Sequence, residues 1–309
     1  MGRSLRILDY VFVLRPTLFV AVWTVFLAGR WAQLRFLPAG GETSGLRVWL
    51  FGAAVSAVMA AVFVVNQLAD VETDLANNKL YLIARGEIPR RAARLEAFLL
   101  VVVGLLLALW LDVMLFVILA LLFFVGGVAY SFRPWLWKNH PILGMFSNGL
   151  GALFIFLAGW GVAGAWHPVA FQYAVPYVLA VVSVYFLTTI PDEPGDRASG
   201  KVTFVVRYGK KATCYWALAA VALSALTAGL NRDLVILFPA VASLPLFAVA
   251  AGRGASDDVL RATKMSILLL SLVVCIKYPA YLLLLVVVFG LSKWYYKKRF
   301  GLNYPSLET

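Results

Sequence analysis

The feature that most restricts the fold of this chain is a series of long apolar runs that recurs from end to end. Each run approaches the ~20 residues that a helix needs to cross the hydrocarbon core of a bilayer. The runs are continuous and do not alternate with polar residues, so they favour helices over the strands of a barrel. The hydrophobic content of 62% exceeds that of soluble domains and agrees with this interpretation.

The sequence therefore predicts an all-α fold, a polytopic membrane helical bundle of about nine transmembrane helices. The predicted spans are 16–36, 48–68, 92–111, 113–132, 142–163, 169–190, 212–230, 234–250 and 265–291. Lys277-Tyr278-Pro279 interrupts the last run, which is either one kinked helix or two shorter pieces. Lys277 itself is either a functional intramembrane charge or a snorkelling side chain. No linker separates the spans, which indicates a single transmembrane domain over residues 1–309.

The distribution of basic residues indicates how the bundle is oriented in the membrane. Most Lys and Arg precede the first span or follow the second, fourth, sixth and eighth spans, and cytoplasmic loops carry such an excess. We therefore expect the N-terminus and these loops on the cytoplasmic side. The basic C-terminus fits this orientation only if the ninth span is two half-helices that bring the tail back. The charges lie in short loops between spans, which argues against nucleic-acid binding.

Two segments carry clustered acidic residues, one after the second span and one after the sixth. Asn66, Asp70 and Asp74 are spaced by four in the first segment, and Asp192 and Asp196 repeat that spacing in the second. Residues i and i+4 lie on one face of a helix, ~5–6 Å apart, where like charges repel each other. The spacing therefore predicts that something positive lies between the carboxylates.

Oxygen ligands with no histidine nearby suit Mg²⁺ and argue against zinc or iron. Mg²⁺ often binds through a few carboxylates together with substrate phosphates. Lys79 and Arg85 follow the first acidic segment, and Lys201 follows the second. A metal ion on one side and cationic side chains on the other form a seat for a diphosphate, while the apolar bundle suits a hydrocarbon tail. For either segment alone, the alternative interpretation is that the acidic residues are solvated loop residues and that the Lys and Arg residues only determine the membrane topology.

At these residues the chain resembles the UbiA superfamily of intramembrane polyprenyltransferases. That family carries N-D-x-x-D-x-x-x-D after its second helix and D-x-x-x-D-x-x-x-G-x-x-T after its sixth. The matching residues are Asn66, Asp70, Asp74, Asp192, Asp196, Gly200 and Thr203. Arg15-Pro16 at the start of the first span and Tyr130-Ser131 at the end of the fourth also agree. Span count and motif positions extend the resemblance over nearly the whole chain.

The resemblance implies a central chamber and Mg²⁺-dependent transfer of a polyprenyl group from an isoprenyl diphosphate to a lipophilic acceptor. The implied metal ligands are Asn66, Asp70, Asp74, Asp192 and Asp196. Asp70 and Asp192 would assist ionisation of the donor, and Tyr130 would lie near the reacting carbon. The implied diphosphate contacts are Arg15, Lys79, Arg85 and Lys201. The active site is expected on the cytoplasmic side of the membrane.

Two departures from the family pattern concern the first motif and the loop behind it. Gln67 stands where the family usually has Asp, which removes one possible ligand. Residues 81–86 replace the usual R-P-x-P-x-G stretch, so its Arg and both prolines are absent. Lys79 or Arg85 would have to supply the missing charge.

Several functions are compatible with these motifs. The acceptor is an aromatic, glycerol-lipid or tetrapyrrole-type molecule. A second hypothesis within the family is a terpene cyclase, in which the substrate's own double bonds capture the cation. A third, from a different class, is a membrane transporter or flippase, which the position of the carboxylates at span ends disfavours.

Overall fold

The chain folds into a bundle of α-helices, as the computed structural model of residues 3–36, 44–76, 82–164 and 166–305 shows. No β-strand occurs in these residues. The helices are α1 (Arg3–Phe12), α2 (Phe19–Phe36), α3 (Gly45–Ala69), α4 (Val71–Ala76), α5 (Arg90–Leu111), α6 (Val113–Phe123), α7 (Pro141–Trp160), α8 (Val169–Thr189), α9 (Glu193–Ala198), α10 (Phe204–Leu230), α11 (Leu234–Arg253), α12 (Ser256–Lys277) and α13 (Pro279–Phe300). A π-helical segment, Phe124–Ala129, continues α6. The predicted all-α fold is confirmed.

Nine helical segments in the described ranges are long and apolar enough to cross a membrane. The first, Arg6–Phe36, joins α1 to α2, and Val113–Ala129 is an additional, shorter apolar helix. The run 265–291 belongs to two helices, α12 and α13, each long enough to span a membrane. Pro279 has no N–H to donate to the preceding turn, so α12 ends at Lys277 and α13 begins at Pro279. Lys277 therefore lies at a helix end, not inside a span.

Successive long helices run in opposite directions, so the bundle has two ends. We call the end that carries Asp70 and Asp196 the carboxylate face, and the end where α2 and α10 finish the distal face. α13 returns to the carboxylate face, where the Arg299 guanidinium pairs with Asp9 of α1 at 3.1 Å. The basic C-terminus consequently lies on the same face as the acidic segments, which removes the misfit in the predicted charge distribution.

α2 and α7 approach each other so closely that each has a glycine at the crossing. A Cβ atom added to Gly29 would overlap the Phe156 carbonyl, and one added to Gly159 would overlap the Phe26 carbonyl. Hydrophobic burial does not drive helices together in lipid, so close backbone packing through small residues takes its place. This crossing fixes one wall of the cavity that lies beneath the carboxylate face.

The crossing predicts a stability difference between two glycine substitutions. Gly159→Ala should lower the free energy of unfolding by about 1–3 kcal/mol, because its methyl group forces α2 and α7 apart. The matched control is Gly290→Ala in α13, where the added methyl group meets nothing within 4 Å; it should be neutral or slightly stabilising. Thermal unfolding in detergent measures both, and equal melting temperatures would show that the crossing does not limit stability.

Candidate functional site

The two acidic segments meet at the carboxylate face through one lysine. Lys201, which follows α9, places its Nζ 2.5 Å from Asp70 Oδ1 and 4.0 Å from Asp196 Oδ1. Asp70 is the C-terminal cap of α3, so the contact joins residues 131 positions apart. α4 and α9, the short helices that carry Asp74 and Asp196, also pack against each other. The predicted proximity of the two segments is thus present in the fold.

A second lysine, which the sequence did not single out, shares the same carboxylate. Lys138 lies in a 3-10 turn between the π-helical segment and α7, and its Nζ is 2.9 Å from Asp70 Oδ1. Its side chain is only 7% exposed. In the sequence this residue is a loop cation that follows two tryptophans, Trp135 and Trp137, a pattern typical of an interfacial anchor. Only its burial and its contact with Asp70 identify it as part of the site.

Charge around Asp70 keeps its carboxyl group ionised. Burial by itself raises the pKa of Asp70, but the ammonium groups of Lys138 and Lys201 outweigh burial and hold that pKa below its ordinary value. Burial also lowers the pKa of Lys138, although the charge of Asp70 opposes this change. The site is therefore a compact arrangement of ionised groups shielded from bulk water.

The other motif residues surround this pair. Asn66 accepts a hydrogen bond from the Ser131 hydroxyl through Oδ1, one turn before Asp70 on α3. Asp74 and Asp196 are buried, and Asp192 is half-buried at the start of α9. The charge of Asp74 also acts on Lys138. All five predicted ligand positions therefore lie at the carboxylate face.

The donor atoms of this site have the chemistry that a magnesium ion requires. Asn66 and the four aspartates offer only oxygen, and hard divalent cations prefer oxygen. Thr203 Oγ1 adds a buried oxygen that has no hydrogen-bond partner within the described ranges. In those ranges no group of three or more His, Cys, Asp or Glu side chains is arranged to hold a metal ion. Lys201 instead lies between Asp70 and Asp196, so a cation would have to exchange places with an ammonium group.

Gln67, the departure from the family pattern, has a structural role that an acid would not fill. Its side chain is 3% exposed, and Nε2 donates hydrogen bonds to the Val13 carbonyl at 2.8 Å and the Phe63 carbonyl at 3.1 Å. A carboxylate has no proton to donate to those carbonyls. Gln67 therefore ties the segment before Arg15 to α3.

The predicted diphosphate contacts differ in where the structure places them. Lys201 is at the centre of the site. Arg15 is half-buried at a left-handed backbone position, φ 58°, directly before the turn that opens the first span. Arg85 is exposed in a turn and forms no ion pair with a described residue. Lys79 lies outside the described residues.

A cavity of about 330 Å³ begins directly below these charges. Its polar end is lined by Asn66, Tyr130, Asn148 and Thr188. The Tyr130 hydroxyl forms a hydrogen bond with the Asn148 side chain and lies within the electrostatic influence of Asp70, Asp196 and Asp192. The rest of the lining is apolar, from residues such as Val22, Met59, Phe63, Leu122 and Ile155. The cavity therefore offers an ionic mouth and an apolar interior.

A smaller cavity of about 100 Å³ continues the apolar interior between α8, α10, α11 and α12. Ala21, Val25, Val181, Val184 and Ile267 line both cavities. The two cavities are therefore adjacent, and together, as the apolar chamber, they extend from the carboxylate face into the membrane-spanning part of the bundle. An elongated apolar chain with a charged head matches this chamber in polarity.

Comparison with known proteins agrees with this geometry. The chain matches the model of the UbiA prenyltransferase family over residues 17–265, a range that includes both acidic segments. It is similar to the digeranylgeranylglyceryl phosphate synthase of Methanoregula boonei, with 32% identity over 234 residues that cover 71% of this chain and 82% of the relative. The Methanospirillum hungatei protein of the same name is 29% identical over 234 residues, which cover 74% of this chain and 76% of the relative.

A solved structure shares the fold. The chain superposes on a UbiA homologue from Archaeoglobus fulgidus bound to GPP and Mg²⁺ with a TM-score of 0.65 and 19% identity. The superposition covers 86% of this chain and 99% of the homologue.

The shared carboxylate predicts a stability effect that is independent of catalysis. Asp70→Asn should lower the free energy of unfolding by about 1–3 kcal/mol in the absence of divalent cations, because two partly buried ammonium groups lose their counter-charge. Glu72→Gln, at an exposed position of α4, is the matched control and should have no effect. Adding Lys138→Met to Asp70→Asn should recover part of the loss. If Asp70→Asn and Glu72→Gln melt at the same temperature, the ion pairs do not stabilise the fold.

Proposed function

The chain belongs to the UbiA prenyltransferase family, and from this membership we propose that it transfers a polyprenyl group from an isoprenyl diphosphate to a lipophilic acceptor with Mg²⁺ at the carboxylate face. It is an integral, multi-pass membrane protein and a transferase of the prenyltransferase class. The observation that carries the proposal is the position of the Lys201–Asp70 ion pair. That pair joins both acidic segments at the mouth of an apolar chamber.

The proposed metal ligands are the five motif residues Asn66, Asp70, Asp74, Asp192 and Asp196. Their oxygen-only donor set supports this assignment. The chemistry supplied by bound Mg²⁺ would be neutralisation of the charge that develops on the leaving diphosphate. Asp70 and Asp192, one from each segment, would hold the metal ion at the chamber mouth, where the allylic C–O bond of the donor would ionise.

The basic side chains bind the anionic head of the donor in this proposal. Lys138 and Lys201 exchange part of their contact with Asp70 for contacts with diphosphate oxygens, and charge-assisted hydrogen bonds of this kind are strong. Arg15, at the segment that Gln67 anchors, is a third proposed contact. Arg85 is a fourth, and Lys79, which lies outside the described residues, is also proposed as a contact. The apolar chamber excludes water while the C–O bond breaks, which protects the allylic cation.

Tyr130 is the proposed neighbour of the reacting carbon. It lies where the polar mouth meets the apolar interior, and its ring face can stabilise a cation. Its hydroxyl, held by Asn148, keeps the ring in place.

For the acceptor, the two relatives favour a prenylated glycerol phosphate, because both carry the name digeranylgeranylglyceryl phosphate synthase. Such an acceptor is itself an amphiphile with an anionic head. It would lie in the bilayer with its hydroxyl at the same depth as the donor's diphosphate. Aromatic and tetrapyrrole-type acceptors are tested in parallel in the assay described below.

The carboxylate face is proposed to be cytoplasmic. Of the 27 Lys and Arg in the sequence, the described helix ends place five near the distal face, Arg30, Arg35, Arg47, Arg232 and Lys277. The excess of basic residues at the other end supports this orientation through the positive-inside rule.

Diphosphate release from detergent-purified protein tests the proposal. Geranylgeranyl and farnesyl diphosphate are supplied with and without Mg²⁺, and with each acceptor class in turn. Release should require Mg²⁺ and should fall at least ~100-fold in the Asp70→Asn, Asp192→Asn double variant, because electrostatic stabilisation of the leaving group is lost. Glu72→Gln should retain wild-type rates.

The products of that assay separate the remaining hypotheses. An acceptor that raises the rate and appears in the product identifies the acceptor class. Formation of a cyclic hydrocarbon or alcohol without acceptor would show terpene cyclisation in place of prenyl transfer. The proposal would be wrong if neither donor is turned over and neither donor protects the protein against thermal unfolding.

Tyr130 is tested by separating its ring from its hydroxyl group. Tyr130→Phe should keep most of the activity, whereas Tyr130→Leu should lower kcat about thirtyfold, because a desolvated cation–π contact contributes about 2 kcal/mol. A decrease of the same size in both variants would assign the effect to the hydroxyl group and exclude the ring. Equal wild-type rates in both would remove Tyr130 from the reaction.

A further inference from the structure

A groove on the outside of the bundle gathers positive charge at the end away from the proposed reaction. It has a volume of about 400 Å³ and lies at the distal face between α2, α11 and α12. Its basic residues are Arg35, Arg232 and Lys277, and the rest of its lining is apolar. Each of the three is at or next to a helix end, where lipid headgroups lie beside a bundle of this kind.

These three cations are most of the positive charge at the distal face. Five Lys or Arg residues lie near that face in the described ranges, and three of them line this one groove. The other two, Arg30 and Arg47, belong to α2 and α3 and do not line it. An otherwise cation-poor face thus concentrates its charge in a single place.

Among the described residues, one carboxylate contacts these cations, and it is already paired. Asp233 is fully buried, accepts a hydrogen bond from the Tyr177 hydroxyl at 2.9 Å and forms an ion pair with Arg35 at 3.2 Å. Arg232 and Lys277 are exposed, and neither has a carboxylate partner within the described ranges. Within the described ranges, the groove therefore carries two cations, Arg232 and Lys277, that no carboxylate neutralises.

The turn between α10 and α11 holds Arg232 in position. Its backbone is left-handed, with φ 52°, which is an uncommon conformation for a residue with a side chain. Arg35 Nη2 donates to the Arg232 carbonyl at 2.9 Å, and Asn231 exchanges hydrogen bonds with Gln172, each of 3.0 Å. The backbone from which the Arg232 side chain extends is therefore held in place at the edge of the groove.

Outward-facing apolar side chains continue the groove towards the middle of the membrane. Leu234, Phe238 and Ile276 are 71%, 62% and 73% exposed. The Lys277 ammonium group lies 4.5 Å from the centre of the Trp31 ring, at the boundary between the polar and apolar parts. A ligand that satisfies both parts has an anionic head and a hydrocarbon chain.

We propose that this groove binds an anionic phospholipid, with its phosphate group on Arg35, Arg232 and Lys277 and one acyl chain along Phe238 and Ile276. Arg and Lys side chains bind phosphate oxygens through strong charge-assisted hydrogen bonds. A free phosphate ion would satisfy the cations but would leave the apolar wall uncovered. The site is separate from the diphosphate site, because it lies at the opposite face of the membrane.

Native mass spectrometry of the detergent-purified protein tests this lipid site. Phosphatidylglycerol and phosphatidylcholine with identical acyl chains are titrated in parallel, and glycerol phosphate is added as a soluble competitor. Wild-type protein should bind one phosphatidylglycerol in preference to phosphatidylcholine. The Arg232→Gln, Lys277→Gln double variant should bind phosphatidylglycerol about thirtyfold more weakly, since each loses an attraction to the headgroup.

The matched control removes two exposed cations from the carboxylate face, as Arg253→Gln, Arg261→Gln. It should bind phosphatidylglycerol as tightly as wild type. Equal affinity for the two lipids, equal weakening in both double variants, or displacement by glycerol phosphate would overturn the lipid site. Diphosphate release is measured on the same proteins, so a failure of this inference is distinguishable from a failure of the proposed reaction.

Discussion

A lipid bilayer offers no hydrogen-bond partner to a peptide backbone, and this constraint decides where the chain can keep its polar chemistry. Continuous helices satisfy the backbone inside the membrane, so charged side chains collect where helices end. Asp70 caps α3, Asp196 lies in the short helix between α8 and α10, and Lys138 lies between two spans. The site is consequently assembled from helix ends, and the apolar chamber begins immediately beneath them.

The lysines beside Asp70 suggest how such a site can stay folded before a substrate arrives. Four buried or half-buried aspartates would repel one another strongly without a counter-charge, and Lys138 and Lys201 supply it from the protein itself. In the proposed reaction the same two ammonium groups turn from the carboxylate to the diphosphate. One pair of side chains would then stabilise the resting protein and, later, the anionic head of the donor.

The sequence predicts the helices well, because they follow from apolar periodicity. The span count places both acidic segments at one face, and the resemblance to the family implies that they share one site. Twenty-residue apolar runs and four-residue polar spacing need no tertiary information. The break at Pro279 is visible in the sequence. Hydropathy does not show that both pieces are full-length helices, because polar residues form the outer ends of α12 and α13. Lys138 could not be found, since a loop lysine beside tryptophans has the composition of an ordinary interfacial anchor.

Gln67 shows a different limit of sequence comparison. Compared with the family motif, Gln67 is only the loss of an acidic residue. In the fold, its side chain donates hydrogen bonds to the carbonyl groups of Val13 and Phe63. A position that a motif describes only by its residue type can thus have a structural role, which its hydrogen-bond partners reveal. A residue type at one motif position is therefore weaker information than the spacing of the whole motif.

The contact between α1 and α13 gives the bundle a property that chain order conceals. Asp9 is held by Arg299 and by the Tyr295 hydroxyl, and Phe12 stacks on the Tyr295 ring with centroids 3.7 Å apart. In the described ranges the nine long segments and the shorter apolar helix Val113–Ala129 together make ten crossings, and this even number brings the last long helix back beside the first. The helices are thus arranged in a closed ring, and the position of the chain termini in that ring does not determine how the helices pack. A version of this fold that was cut at a surface loop and rejoined between α13 and α1 would have the same interior.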